Sequence, residues 1–175
     1  MQKLIIISIL LTTCLFVAKT KNNDDCNIYR IGIEKLAISF SNDTIIFILN
    51  HTNNFNQEEL MLSLSKDLKS RENDSNSILV NNNVYVSNDS ILNCQFTITN
   101  FKFTDEYPAE LFFNENFNGK IPSYIISSNI LYFEKKYAYI RYFLISKFGG
   151  NMTFWYIFKK NKNDEWCVFR NGVYI

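Results

Sequence analysis

A chain of 175 residues with 18 Lys and Arg against 17 Asp and Glu carries a net charge of +1, so no overall field draws it to nucleic acid or to an anionic membrane. Its 47% hydrophobic and 20% charged residues are the makeup of a globular domain and exclude a disordered polar chain. Sixteen Phe and ten Tyr against five Gly and two Pro imply a core dense in aromatic rings, with few turns forced by the backbone.

Lys3, the almost unbroken apolar run 4–18 and the polar stretch 19–25 form the pattern of a secretory signal peptide. The run falls short of the roughly 20 apolar residues a spanning helix needs. Residues 1–20 are therefore read as a leader and 21–175 as one α+β domain, secreted or periplasmic. Leu11-Thr12-Thr13-Cys14 loosely matches a bacterial lipobox, in which Cys14 would be lipidated and would anchor the domain to the envelope. Thr13 stands where Gly or Ala is usual and the apolar run continues to Ala18, so the alternative is that Cys14 belongs to the leader. Only lipidation of Cys14 would bring a membrane into play, and a single acyl chain holds weakly.

Asp24 and Asp25 are placed to cap a first helix. Tyr29, Ile33, Leu36, Ala37 and Phe40 follow at helical spacing and draw one apolar stripe, with Arg30, Glu34 and Lys35 off it. Residues 44–49 (TIIFIL) are a β-branched apolar run and read as a buried strand. The polar loop 50–56 holds the only histidine, His51. Asn56 is placed to cap a second helix over 57–70, with Glu58 and Glu59 in its first turn and Leu60, Met61, Leu64 and Leu68 on its buried edge.

Residues 78–80 and 84–86 read as short strands around an Asn turn. Residues 91–101 alternate as a half-buried strand, and 109–113 form a short helix. The runs 125–133, 137–146, 152–160 and 165–170 are strands with hairpin-length connections, hence an antiparallel meander. The expected fold is α+β: an antiparallel sheet with this C-terminal meander, packed against two N-terminal amphipathic helices.

The strand faces carry a further message. Ala138, Ile140, Tyr142 and Leu144 alternate with Tyr137, Tyr139, Arg141, Phe143 and Ile145, and both sets are mostly apolar. An antiparallel sheet with one wet face alternates more cleanly. The second face is therefore covered by a helix, by sheet curvature, by a partner or by a ligand. Tyr137, Tyr139, Arg141 and Trp155 are the candidate binding residues on it, since rings with a polar handle suit a protein interface, a sugar face or a pocket. The alternative is core beneath a helix.

Cys26, Cys94 and Cys167 lie beyond the leader. In an oxidising compartment they allow one bridge and one leftover thiol, in any of three pairings. Cys94 with Cys167, both in expected strands, is the candidate pair; three free, partly buried thiols are the alternative. No nucleophile elbow, phosphate loop or dinucleotide fingerprint occurs, and no His or Cys cluster has metal-ligand spacing, so no catalytic residue, cofactor or metal is assigned. The pairs Asp24-Asp25, Asp105-Glu106 and Asp164-Glu165 are read as solubilising and capping residues.

Gly119-Lys120-Ile121-Pro122-Ser123, Tyr137-Ala138-Tyr139-Ile140-Arg141-Tyr142, Gly149-Gly150, Trp155-Tyr156-Ile157-Phe158-Lys159-Lys160 and Glu165-Trp166-Cys167-Val168 follow in this order. This ending resembles small uncharacterised secreted or lipid-anchored proteins of Bacteroidota-type bacteria. It is also similar to NTF2-like domains, and that resemblance implies a curved sheet wrapped around helices to make a conical pocket. Strand 44–49 departs from the NTF2-like order by standing between the helices. The matched segments cover under a third of the chain and carry no catalytic residue across.

Three functions follow as expectations. The first is a non-catalytic envelope protein that binds a partner or small-molecule ligand through the aromatic sheet face. The second is an NTF2-like pocket enzyme or ligand-binding domain, with His51 or a carboxylate as base. The third is an immunity-type protein that neutralises a toxin.

Overall fold

The computed structural model describes residues 24–40, 44–49, 54–69, 84–87, 94, 101–105, 121–146 and 150–174. The leader with Cys14, His51, and the elements expected over 78–80 and 109–113 lie outside these residues, as does most of the strand expected over 91–101.

Helix α1 covers 24–37. Tyr29, Ile33 and Leu36 of the expected stripe are buried, joined by Ile28, while Ala37 is half-buried and Phe40 lies past the helix end, packed against the same core. On the wet side Arg30 pairs with Glu34 one turn on, at 3.2 Å. Asp24 and Asp25 lie inside the first turn rather than at a cap, and Asp25 is buried. Strand β1 (Thr44–Leu49) follows with the expected bounds.

Helix α2 (Gln57–Lys69) opens on a reciprocal cap. The Glu59 amide donates to Asn56 Oδ1 and the Asn56 amide donates to Glu59 Oε2, both at 2.9 Å. Two otherwise orphaned N–H groups are satisfied at once.

Strands β2 (Val84–Val86) and β3 (Phe101–Thr104) precede β4 (Ile121–Ser127), β5 (Leu131–Phe133), β6 (Tyr137–Ser146), β7 (Met152–Lys160) and β8 (Trp166–Tyr174). From β4 to β8 the pairings are antiparallel, as expected of the meander, but its first strand, expected unbroken over 125–133, starts at Ile121 and is divided into β4 and β5, which both pair with β6. The sheet as a whole is mixed, however, because β1 pairs in parallel with both β3 and β4. A parallel strand is enclosed on both faces and reads as a continuous apolar run, which is the composition of TIIFIL.

Between β4 and β5 the chain does not leave the sheet. Ser127 faces Tyr142 and Leu131 faces Tyr139, so four steps on one strand match three on β6. That is a one-residue bulge centred on 128–130. It is pinned by the Ser128 amide donating to the Arg141 carbonyl (2.8 Å) and the Arg141 amide donating to Ser128 Oγ (3.0 Å).

The two helices take opposite faces. On one face α1 packs on Ala138, Ile140, Tyr142, Tyr156 and Phe158. On the other, Leu60 and Leu64 of α2 pack on Leu131, Phe133, Tyr139, Trp155 and Ile157. This is the covered second face that the doubly apolar strands demanded. It also corrects the binding surface: Tyr139 is fully buried and Trp155 is 2% exposed, so both are core beneath α2. Each fully buried ring of this size stabilises the fold by roughly 2–3 kcal/mol.

The disulfide joins Cys26 of α1 to Cys94, with Cα atoms 5.1 Å apart, and Cys167 is a free, exposed thiol. The expected Cys94–Cys167 pair fails for a geometric reason. Trp166 and Val168 of β8 point to the α1 side, where the bridge lies, so Cys167 between them points the other way. Cys94 itself is not in a strand.

Candidate functional site

Strand β6 pairs with β7 along one edge, so β4 and β5 both lie along its other edge. Beyond them, β1 runs parallel to β4 and β2 runs antiparallel to β5. The two outer strands therefore approach each other from opposite ends of the same edge. Both stop short at the bulge, and their carboxyl ends leave a notch over Asn129.

The notch is closed by the entry to α2. Asn54, Phe55, Asn56 and Gln57 form one wall, Tyr85 and Val86 the other, and Asn129 the third, around an open cleft of about 600 Å³. Such a volume falls within the range of small-molecule sites, about 300–1,000 Å³. None of these seven side chains is charged.

Each wall is held from behind. The Phe55 ring stacks on Phe143 at 5.7 Å, and Asn56 is locked by the cap with Glu59. Asn129 is 6% exposed and donates from Nδ2 to the Ser87 carbonyl at 3.3 Å. The Ser87 amide donates to the Ile130 carbonyl at 2.9 Å. Tyr85 stacks on Tyr132 with ring centres 4.8 Å apart and planes 13° apart, yet stays 46% exposed.

Behind this wall sits the buried carboxylate of Asp25, which accepts hydrogen bonds from the Ser87 and Tyr132 hydroxyls. Burial first, then the Asp25 charge, pushes the Tyr132 hydroxyl far above the ordinary tyrosine range. Tyr85 is shifted in the same direction, by burial and then by Asp25. Both phenols stay protonated and act as donors or neutral surfaces.

Asn129 Oδ1 is buried and has no hydrogen-bond partner. A buried amide oxygen without a donor costs about 1–3 kcal/mol, and this one is enclosed at the floor of the cleft rather than exposed to it.

A second buried carboxylate lies across the sheet. Asp67 of α2 accepts from the Tyr139 hydroxyl and, at 2.5 Å, from the Tyr174 hydroxyl. Arg141 Nε lies 3.9 Å from it, and Arg141 Nη1 donates to Ser63 Oγ at 3.1 Å. Burial and the bond to Asp67 push the Tyr139 hydroxyl far up. This network clamps α2 to β6 and β8.

Tyr139, Arg141 and Trp155 are thus brought together, as expected, but as part of this clamp and core. Tyr137 lies at the strand end, stacked on Phe133 at 5.3 Å beneath Lys159. Asp25 and Asp67 were missed as interior residues. Both left a signal: each falls in phase with an apolar stripe, Asp25 four residues before Tyr29 and Asp67 three after Leu64. Asn129 left none, because a bulge is not a periodic feature.

Among the described residues, no three His, Cys, Asp or Glu side chains gather as a metal site requires. The chain matches no protein-family model, no curated protein and no solved structure.

Proposed function

We propose that this chain is an extracytoplasmic binding domain that holds a small polar ligand in the notch above the bulge and performs no chemistry on it. The observation that carries this reading is the cleft itself, about 600 Å³ with uncharged described walls, one of them the buried amide of Asn129, whose Oδ1 has no hydrogen-bond partner. Preorganisation supports it, since the walls are fixed by the bulge, the α2 cap and the Asp25 network before any ligand arrives. General acid–base work needs a group that exchanges protons near the working pH. The two buried carboxylates are each bonded to two hydroxyls and neither lines the cleft. The Cys26–Cys94 bridge accords with an oxidising compartment.

Native mass spectrometry of the secreted chain after exposure to an extract of the host envelope tests the reading. The expected result is a non-covalent small-molecule adduct on the wild type that is lost in Asn129→Leu, with the circular dichroism of the two unchanged. A bare wild-type chain, or an adduct that Asn129→Leu retains, overturns it. An added protein mass would replace it with an interaction module.

A further inference from the structure

Resting on the notch as the binding site, we infer that its ligand is a neutral saccharide. The first argument is charge. Among the described lining residues no side chain bears one, and Glu58 and Glu59 in the first turn of α2 offset the positive end of the helix dipole. Among the described lining residues a phosphate or carboxylate would find neither an ion pair nor a free helix terminus, and a cation would find no carboxylate.

The second argument is the pattern of donors and acceptors. Asn56, Gln57 and Asn129 bring three primary amides to one cleft, with Asn56 Oδ1 already accepting from the Glu59 amide and Asn129 Nδ2 already donating to the Ser87 carbonyl. Asn129 Oδ1 lacks a partner while its Nδ2 is used, so of the two ends of this amide only the oxygen has bonding capacity to spare. Adjacent hydroxyls of a sugar ring donate and accept together, which is the complement of such amides.

The third argument is the ring. Tyr85 is half exposed beside these amides and its plane is set by stacking on Tyr132. A flat aromatic surface next to polar groups takes the C–H face of a sugar while the amides take its hydroxyls. An apolar ligand would strip water from the exposed Gln57 amide without replacing its hydrogen bonds.

The test is a titration of the ¹⁵N-labelled secreted chain, followed by its amide resonances. The probes are maltotriose, cellotriose and the N-acetylglucosamine trimer, with a galacturonic acid trimer and adenosine as non-matching ligands. At least one neutral trisaccharide is expected to shift the amides of 54–57, 85–87 and 128–130 saturably. Gln57→Ala and Tyr85→Ala are each expected to weaken it by about tenfold. Gln57 is exposed, so its truncation reads binding and not folding. If none of the three trisaccharides moves these amides, the inference is overturned. If adenosine or the acidic trimer moves them instead, the notch stands as a binding site and the saccharide class falls. If every probe's shifts map elsewhere on the chain, both fall.

Discussion

Asp25 on α1 and Tyr132 on β5 are 107 residues apart in sequence, and the Tyr132 hydroxyl donates directly to the Asp25 carboxylate. Ser87, at the end of β2, donates to the other carboxylate oxygen. One side chain thus ties the first helix to two strands and, through Ser87, to Asn129 in the notch.

Removing that carboxylate leaves two buried hydroxyls without their acceptor, each costing about 1–3 kcal/mol. Asp25→Ala is expected to lower stability by about 3 kcal/mol in urea unfolding. Tyr132→Phe removes one bond and is expected to cost about 1–2 kcal/mol. Equal losses in the two variants would show that the carboxylate does not serve both hydroxyls.

The buried tyrosines set an alkaline limit. Burial, with the neighbouring carboxylates of Asp25 and Asp67 for the first two, raises the hydroxyls of Tyr132, Tyr139 and Tyr142 well above the ordinary value of 10.0. Below pH 10 the folded and unfolded chains both keep these protons and stability is at its full value. Above it the unfolded chain releases protons that the native state retains, so stability falls by about 1.4 kcal/mol per pH unit for each ring. Three rings give about 4 kcal/mol per unit. The tyrosinate absorbance of these rings is expected to appear only together with loss of circular dichroism. Full tyrosinate absorbance near pH 10 in a chain still folded would refute it.

The Cys26–Cys94 bridge closes a loop of 68 residues. Loop entropy puts its stabilisation at about 4 kcal/mol. Cys26→Ser is expected to cost close to this, and Cys167→Ser less than about 0.5 kcal/mol, as for a surface position. Alkylation of the native chain followed by peptide mapping should mark Cys167 directly, and Cys26 and Cys94 only after reduction. Direct labelling of Cys94 with Cys167 protected would reinstate the other pairing.

Two glycines exist to make room. A methyl group on Gly172 of β8 would lie 2.5 Å from the Trp155 ring, which is itself buried. One on Gly32 of α1 would meet Tyr142 Oη at 2.1 Å. In an isolated helix Gly→Ala is worth about +1 kcal/mol. Here Gly32→Ala is expected to destabilise by about 1–3 kcal/mol, as overpacking does. Adding Tyr142→Phe should recover only part, because the ring carbons Cζ and Cε2 remain at 2.7 and 2.8 Å. Thermal melts of the single and double variants check both. A gain in melting temperature for Gly32→Ala alone would mean that helix and sheet are not in contact there.

Much of the fold was legible because its signals are local. The Asn56 cap with Glu59 is written in four residues, and the structure forms it. The strands over 137–146 and 152–160 have the bounds their composition implies. The last strand runs to Tyr174, beyond the expected end at Arg170, because hydrogen bonding to β7 continues past the residues of high strand preference. The site was less legible. Tyr139 and Trp155 carry the composition of a binding face, and only the docking of α2 makes them core.

By itself the sequence determined the two helices, strands β1, β2, β6 and β7 and most of β8, and that both faces of β6 and β7 must be covered. Those follow from side-chain periodicity, which is a property of neighbouring residues. The sequence did not show the strand over 101–104 or the break of the expected strand 125–133 into β4 and β5. The tertiary structure alone decided that α1 and α2 take opposite faces, that β1 lies parallel between β3 and β4, that Cys94 meets Cys26, and that Asp25 meets Tyr132. It also decided that β1 and β2 stop short over Asn129 and leave a cleft. Each of these depends on register and crossing between segments far apart in the chain, and such pairings are selected by the packing of the whole core rather than by any local pattern.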